Sequence, residues 1–123
     1  MPHSIRISVD TKYLGHPIKP HDDQYAFSYT ITIHNQGDES VQLMSRHWII
    51  QDGNNEVQEV HGPGVVGQTP IIPAGKSFTY TSGAVVKTPV GSMRGTYYFI
   101  DAQHQPFDVQ IPLFRLAVDA VLH

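Results

Sequence analysis

The chain has 123 residues, a formal net charge of −3 and no cysteine. This length suits one domain with its own core, so we expect a single domain over residues 1–123. The absence of cysteine excludes disulfides, thiolate metal sites and cysteine nucleophiles. A mildly acidic chain has no general attraction to nucleic acid, and no apolar stretch is long enough to span a membrane. Because no secretory signal pattern opens the sequence, we expect a cytoplasmic protein.

Glycine and proline divide the chain into short segments, which favours strands over helices. There are 10 glycines and 9 prolines, spread along the sequence. The segment Ser4–Val9 alternates between apolar and polar residues, and Tyr25–His34 alternates more cleanly. Period-two alternation is typical of a strand with one face in the core. In the second segment the apolar face consists of Tyr25, Phe27, Tyr29, Ile31 and Ile33.

Five further strands are predicted from turn residues and β-branched content. Turn residues flank Val41–Gln51, which we assign to a strand although its apolar spacing would also fit a helix. Glu56–Val60 would be its hairpin partner, and Ser77–Thr81 follows a Pro-Ala-Gly turn. The segments Thr96–Asp101 and Phe107–Leu116 are predicted to form the last hairpin. The face shared in its second strand is Phe107, Val109, Ile111 and Leu113.

Seven to eight short strands without intervening helices indicate an all-β, antiparallel β-sandwich. Trp48 lies in an early central strand, where sandwiches often keep a core tryptophan. Because the cysteine pair of antibody domains is missing, we expect a fibronectin type III-like member of the fibronectin/immunoglobulin class.

A glycine motif occupies residues 62–67 and fits the pattern G-x-G-x-x-G of dinucleotide-binding folds. That fold requires a helix after the motif, but Pro70 and Pro73 follow, and Pro63 removes one backbone N–H. We therefore expect a glycine-rich crossover loop with positive φ at Gly64. Such a loop can still present N–H groups to an anion or a partner. The residues in question are Gly62, Gly64 and Gly67.

The chain around this loop is locally positive. Residues 60–100 contain no aspartate or glutamate but include Lys76, Lys87 and Arg94. If these three bases converge on the loop, they would complete a site for a small phosphate-containing molecule. The alternative is that they are scattered, solvated charges.

No catalytic set and no metal site are predicted. The chain has eight histidines, but no pair has the H-x-x-x-H spacing, so we expect surface or hydrogen-bonded histidines. Ser45 and His47 would point in parallel from one strand, a poor geometry for proton transfer. Ser82 lacks the strand–turn–helix context of a nucleophile elbow. We therefore expect neither an enzyme nor a bound cofactor.

Several segments resemble the bacterial ApaG family, also called CorD, in the same order. They are Ser45–Trp48, Gly62–Pro70, Phe78–Ser82, Thr88–Gly95 and Phe107–Phe114. The resemblance covers essentially the whole chain and implies a fibronectin type III-like sandwich acting as a protein-interaction module. It also implies a link to cobalt resistance and magnesium efflux. Nucleotide or pyrophosphate binding, which the glycine motif of the family has prompted as a proposal, carries over only to Gly62, Gly64 and Gly67.

The predicted function is therefore a non-enzymatic binding or adaptor domain with an unidentified protein partner. The expected contact surface includes the loop at 62–67 and the segment Thr88–Gly95. The alternative is a small-anion or nucleotide-binding protein that uses the same loop. A metal-linked role ranks third, because it needs histidines or carboxylates that converge in space.

Overall fold

The protein is built of strands arranged in two sheets. The structure is a computed structural model that describes residues 4–15 and 24–118. Within these ranges no helix is long and apolar enough to cross a membrane. The strands are β1 (Ile5–Gly15), β2 (Tyr25–Asn35), β3 (Val41–Asp52), β4 (Val57–Pro63), β5 (Ile71–Ile72), β6 (Ser77–Val86), β7 (Val90–Ile100) and β8 (Pro106–Ala117).

The two sheets contain three and five strands. The first has the order β1-β2-β6, and the second has the order β4-β3-β7-β8 with β5 paired to β3. All neighbouring strands are antiparallel. The predicted all-β antiparallel sandwich is confirmed, with eight strands. Its fibronectin type III likeness remains a prediction.

The core lies between the sheets and contains most of the predicted apolar face of β2. Phe27, Ile31 and Ile33 of β2 are almost completely buried. The expected core tryptophan is also confirmed, because only 2% of Trp48 is exposed. Its ring packs edge-on against Tyr29 and Tyr97, with centroids 5.4 and 6.2 Å away.

A bulge in β3 decides which of its side chains face the core. Leu43 pairs with Phe99 and Ser45 with Tyr98, so Met44 is an extra residue on β3. One extra residue shifts the alternation by one position. After the bulge Trp48 therefore points inward, and Arg46 points inward beside it.

A second bulge corrects the predicted face of the last strand. Leu113 was expected inward with Ile111, but 60% of Leu113 is exposed. Two residues of β8 separate Ile111 from Phe114, whereas one residue of β7 separates their partners Gly95 and Met93. The extra residue shifts the inward–outward alternation of β8 by one position. Leu116 takes the inward position instead and is completely buried.

Candidate functional site

One lateral side of the sandwich is closed and the other is open. β1 lies against β8 on the closed side. On the open side, β6 and β4 are the outer strands of their sheets. A cavity of about 210 Å³ lies there, between β6 and the loop after β4. It is lined by Tyr29, Arg46, Trp48, Pro63, Val65, Val66, Gly67, Tyr80 and Ser82.

The loop that carries the glycine motif closes on itself in a tight turn. We call residues 62–68 the glycine loop. The N–H groups of Val65 and Gln68 each donate to the other residue's carbonyl oxygen at 2.8 Å. Between them, Val66 and Gly67 have φ values of 42° and 79°, as a type I′ turn requires. This backbone is strained at Val66, because β-branched residues seldom adopt positive φ. Val66 lies in the cavity wall and is 50% exposed.

The side chain of Arg46 forms hydrogen bonds with the first part of the glycine loop. Its Nη1 donates to the carbonyl oxygens of Pro63 and Gly64 at 3.0 and 2.9 Å. Gly62 leaves room for the guanidinium, since a Cβ there would lie 2.7 Å from Nη1. Gly64 has φ of 59°, which confirms the positive value expected from the sequence, and its N–H donates to Met44.

The three bases predicted from the sequence lie elsewhere. Lys76 is in the turn between β5 and β6. Lys87 lies 3.7 Å from Glu56, and Arg94 is an exposed residue of β7 whose charge acts on Glu59. None of the three lines the cavity, so they do not converge on the glycine loop. The basic residue beside the glycine loop is Arg46, which lies outside residues 60–100, the stretch without aspartate or glutamate.

The other predicted contact segment begins away from the glycine loop, but its last residue, Gly95, pairs with Trp48 of the cavity lining. Thr88–Gly95 begins at the Asp52 end of β3, where Gly53 N–H donates to Thr88 Oγ1 at 2.7 Å. The glycine loop begins nearer the Val41 end of β3, where Gly62 pairs with Arg46. Only the Gly95 end of this segment therefore lies near the cavity.

The cavity is a polar site with a single charged side chain, Arg46, in its described lining. Burial raises the pKa of Tyr29 and of Tyr80, while the positive charge of Arg46 opposes the rise. The Tyr80 hydroxyl is hydrogen-bonded to the hydroxyl of Tyr97. The tyrosines consequently remain neutral near pH 7.

Trp48, which lines the cavity, carries a buried donor that is unpaired within the described part of the chain. Trp48 Nε1–H makes no hydrogen bond with any of the described residues, although it is fully buried. An unpaired buried donor costs about 1–3 kcal/mol, so it favours an oxygen acceptor. By contrast, the N–H groups of Gly64, Val65 and Gln68 are already bonded within the protein.

The polar side chains in the described lining of the cavity are three hydroxyls, one guanidinium and one indole. Neither a carboxylate nor an imidazole lines the described cavity, and the Ser82 side chain is hydrogen-bonded to Tyr29. A serine nucleophile requires a base within hydrogen-bond reach. The cavity instead offers the guanidinium of Arg46 to an acceptor.

The outer strand β6 lacks the features that normally protect a sheet edge. It pairs with β2 from Tyr25 to His34 without a register shift, and it has neither a charged residue nor a proline. The other long outer strands have such features. β1 contains Asp10 and Lys12, β4 contains Glu59 and Pro63, and β8 contains a bulge. Charges, prolines and bulges discourage the pairing of edges with other chains.

Alternation fixes which backbone groups of β6 point to the free edge. Asn35 N–H donates to Lys76 O, whereas Gln36 N–H donates away from β6, to Ser4 O. Because backbone groups alternate along an antiparallel ladder, the odd-numbered residues of β6 direct N–H and C=O away from β2. These residues are Ser77, Thr79, Thr81, Gly83 and Val85.

Comparison with known proteins assigns the family. A family model described as the ApaG domain matches residues 16–101. The chain belongs to the ApaG family. It is 51% identical over 121 residues to Protein ApaG of Pseudomonas aeruginosa, covering 98% of this chain and 96% of that protein. It is 50% identical over 122 residues to Protein ApaG of Acidithiobacillus ferrooxidans, covering 99% and 96%.

A solved structure agrees with this assignment. The crystal structure of the ApaA protein from Bordetella pertussis matches with a TM-score of 0.90 and 46% identity, covering 96% of each chain. The part matched by the ApaG family model contains both the glycine loop and β6.

Proposed function

We propose that this ApaG domain is a non-enzymatic binding module that takes up an extended segment of a protein partner as an added strand on β6. The uncharged, regular and unprotected edge of β6 supports this proposal. In strand addition, main-chain hydrogen bonds supply affinity and alternate side chains supply specificity. The names of the relatives state no enzymatic activity.

The neighbouring cavity suggests what the partner segment contains. A strand added to β6 would place its inward side chains over the cavity walls formed by Tyr80 and Ser82. The guanidinium of Arg46 favours a carboxylate or another oxygen acceptor there. The exposed side chain of Val66 favours an apolar neighbour.

The test uses a displayed library of random peptides selected on the full chain. Binders that add a strand should slow amide exchange at alternate residues of β6, including Thr79, Thr81 and Gly83. Thr81→Pro should abolish binding, because proline removes a donor that points away from β2 while leaving the ladder to β2 intact. Thr81→Val is the matched control, since it loses the same hydroxyl but keeps the N–H.

The exchange and binding data can reject this function. It is wrong if the selected peptides protect another surface, or if they bind Thr81→Pro as well as Thr81→Val. Both variants are first compared with the parent protein by thermal unfolding, so that loss of binding is not confused with loss of fold.

A second candidate function is binding of a small phosphate-containing anion in the cavity. The guanidinium of Arg46 in the cavity lining favours it. A titration with pyrophosphate and, separately, ATP should then shift the indole N–H signal of Trp48 saturably. Arg46→Gln should remove this response, whereas Lys87→Gln should not, because Lys87 lies outside the cavity. Absence of any saturable shift would exclude this candidate.

The finer family expectations remain predictions. They are the cytoplasmic location and the link to cobalt resistance and magnesium efflux. A deletion strain complemented by the parent protein and by Thr81→Pro would test whether strand addition contributes to cation tolerance.

A further inference from the structure

Three potential metal ligands meet on the outer face of the five-stranded sheet. His47 of β3 is paired directly with His61 of β4, and their rings stack with centroids 4.0 Å apart. Glu59 lies two residues before His61 and therefore on the same face of β4. Its Oε1 is 2.9 Å from His47 Nε2 and 3.8 Å from His61 Nε2. One ligand atom from each residue lies within 4.8 Å of those from the other two.

We propose that His47, Glu59 and His61 form a binding site for one divalent transition-metal ion of the zinc type. Two imidazoles and a carboxylate are an established donor set for such ions. Water would complete the coordination on the solvent side. This site lies on the outer face, whereas the strand-addition proposal concerns the edge and inner face of β6.

The sheet brings the donors together before any ion binds. The pairing of β3 with β4 fixes the backbone positions of the three donor residues, so metal binding does not have to order the backbone. Metal–ligand bonds of about 2.0–2.2 Å require the donor atoms to draw somewhat closer. His61 and Glu59 are free to turn, since 69% and 56% of their side chains are exposed.

One neighbouring positively charged side chain, that of Arg94, would repel the proposed metal ion. Arg94 of β7 and Glu59 of β4 both pair with Ile49, and the charge of Arg94 acts on Glu59. Removing this positive charge should favour a bound cation, because like charges repel. Arg94→Gln is therefore expected to tighten metal binding, an effect that a purely structural role of Glu59 would not produce.

Calorimetry with zinc chloride and with cobalt chloride, each added alone to the full chain, tests the site. We expect one saturable site, with the histidine ring signals of His47 and His61 shifted in zinc-titrated NMR samples. Glu59→Gln and His61→Asn should weaken binding at least about tenfold. Both positions are exposed, so these variants should fold. His104→Asn is the matched control, since His104 is exposed at φ 64°, a conformation that asparagine tolerates.

The proposal is overturned by absence of saturable binding of both metals, or by an equal loss of affinity in His104→Asn. It is also overturned if Glu59→Gln and His61→Asn bind as the parent protein does. Thr81→Pro should leave metal binding unchanged, so failure of one proposal does not imply failure of the other.

Discussion

Gly64 and Gly67 both have positive φ but differ in the space around them. A Cβ on Gly64 would lie 2.0 Å from Gln68 O, whereas a Cβ on Gly67 would meet nothing within 4 Å. We expect Gly67→Ala to lower the free energy of unfolding by about 1 kcal/mol, from backbone strain alone. Gly64→Ala should cost about 3 kcal/mol or more, because the clash is with backbone. Urea denaturation would measure both, and equal costs would contradict the described loop geometry.

The tyrosine pair beneath the cavity offers a second prediction at the residue scale. Tyr97→Phe would leave the buried hydroxyl of Tyr80 without its partner and should cost about 1–3 kcal/mol. Removing the Tyr80 hydroxyl as well should cost less than the sum of the single changes. If the double change cost as much as the sum of the two single changes, the hydroxyls would not interact.

The same pair should make stability fall in alkaline solution. Burial raises the pKa of both Tyr80 and Tyr97 above the unfolded value of about 10. Their contribution is therefore complete below about pH 10 and is lost as the pH rises further. The double phenylalanine variant should show a weaker decline, measured by urea denaturation from neutral to alkaline pH.

At the scale of elements, Asn35 joins the end of β2 to the short strand β5. Its Nδ2 donates to the carbonyl oxygens of Glu39 and Ile72 at 2.8 and 2.9 Å, and its Oδ1 accepts from Gly37 N–H. Because Asn35 is buried, we expect Asn35→Ala to cost about 2–4 kcal/mol. Amide exchange should accelerate most around β5. The exposed Asn54→Ala is the control and should change stability by less than about 0.5 kcal/mol.

Local pattern predicted the strands whose alternation is uninterrupted and failed where a bulge changes the phase. β2 was predicted almost to its ends because no residue interrupts its two faces. At the start of β3, Val41 and Leu43 point inward, and the same alternation continued without a bulge would place Trp48 outward. The extra residue Met44 reverses this, and the same reversal brings Arg46 into the cavity. β5 was missed because two residues have no detectable period.

The candidate sites depend on strand register, which local spacing does not reveal. Gly64 was predicted correctly because its conformation is a local property of the turn. The proximity of His47 and His61 arises from pairing between two strands, so a search for helical spacing could not detect it. Likewise, the unprotected edge of β6 depends on which strand ends the sheet.

At the scale of the whole molecule, a single core predicts a single cooperative transition. Trp48 is the only tryptophan, and it lies buried between the two sheets. Its fluorescence should therefore change when the sheets separate, and far-UV circular dichroism should change when the strands unravel. For one domain over residues 1–123 the two urea transitions should coincide. Separate midpoints would contradict the single-domain prediction.

The open edge of β6 has a consequence for how the protein behaves in concentrated solution. An edge left ready for a partner is equally ready for the same edge of another copy. Two molecules meeting in this way would merge their sheets, and this self-association would compete with binding of the proposed partner. Turbidity should therefore appear when the protein concentration is raised before it appears on heating. Thr81→Pro should raise the concentration at which turbidity begins.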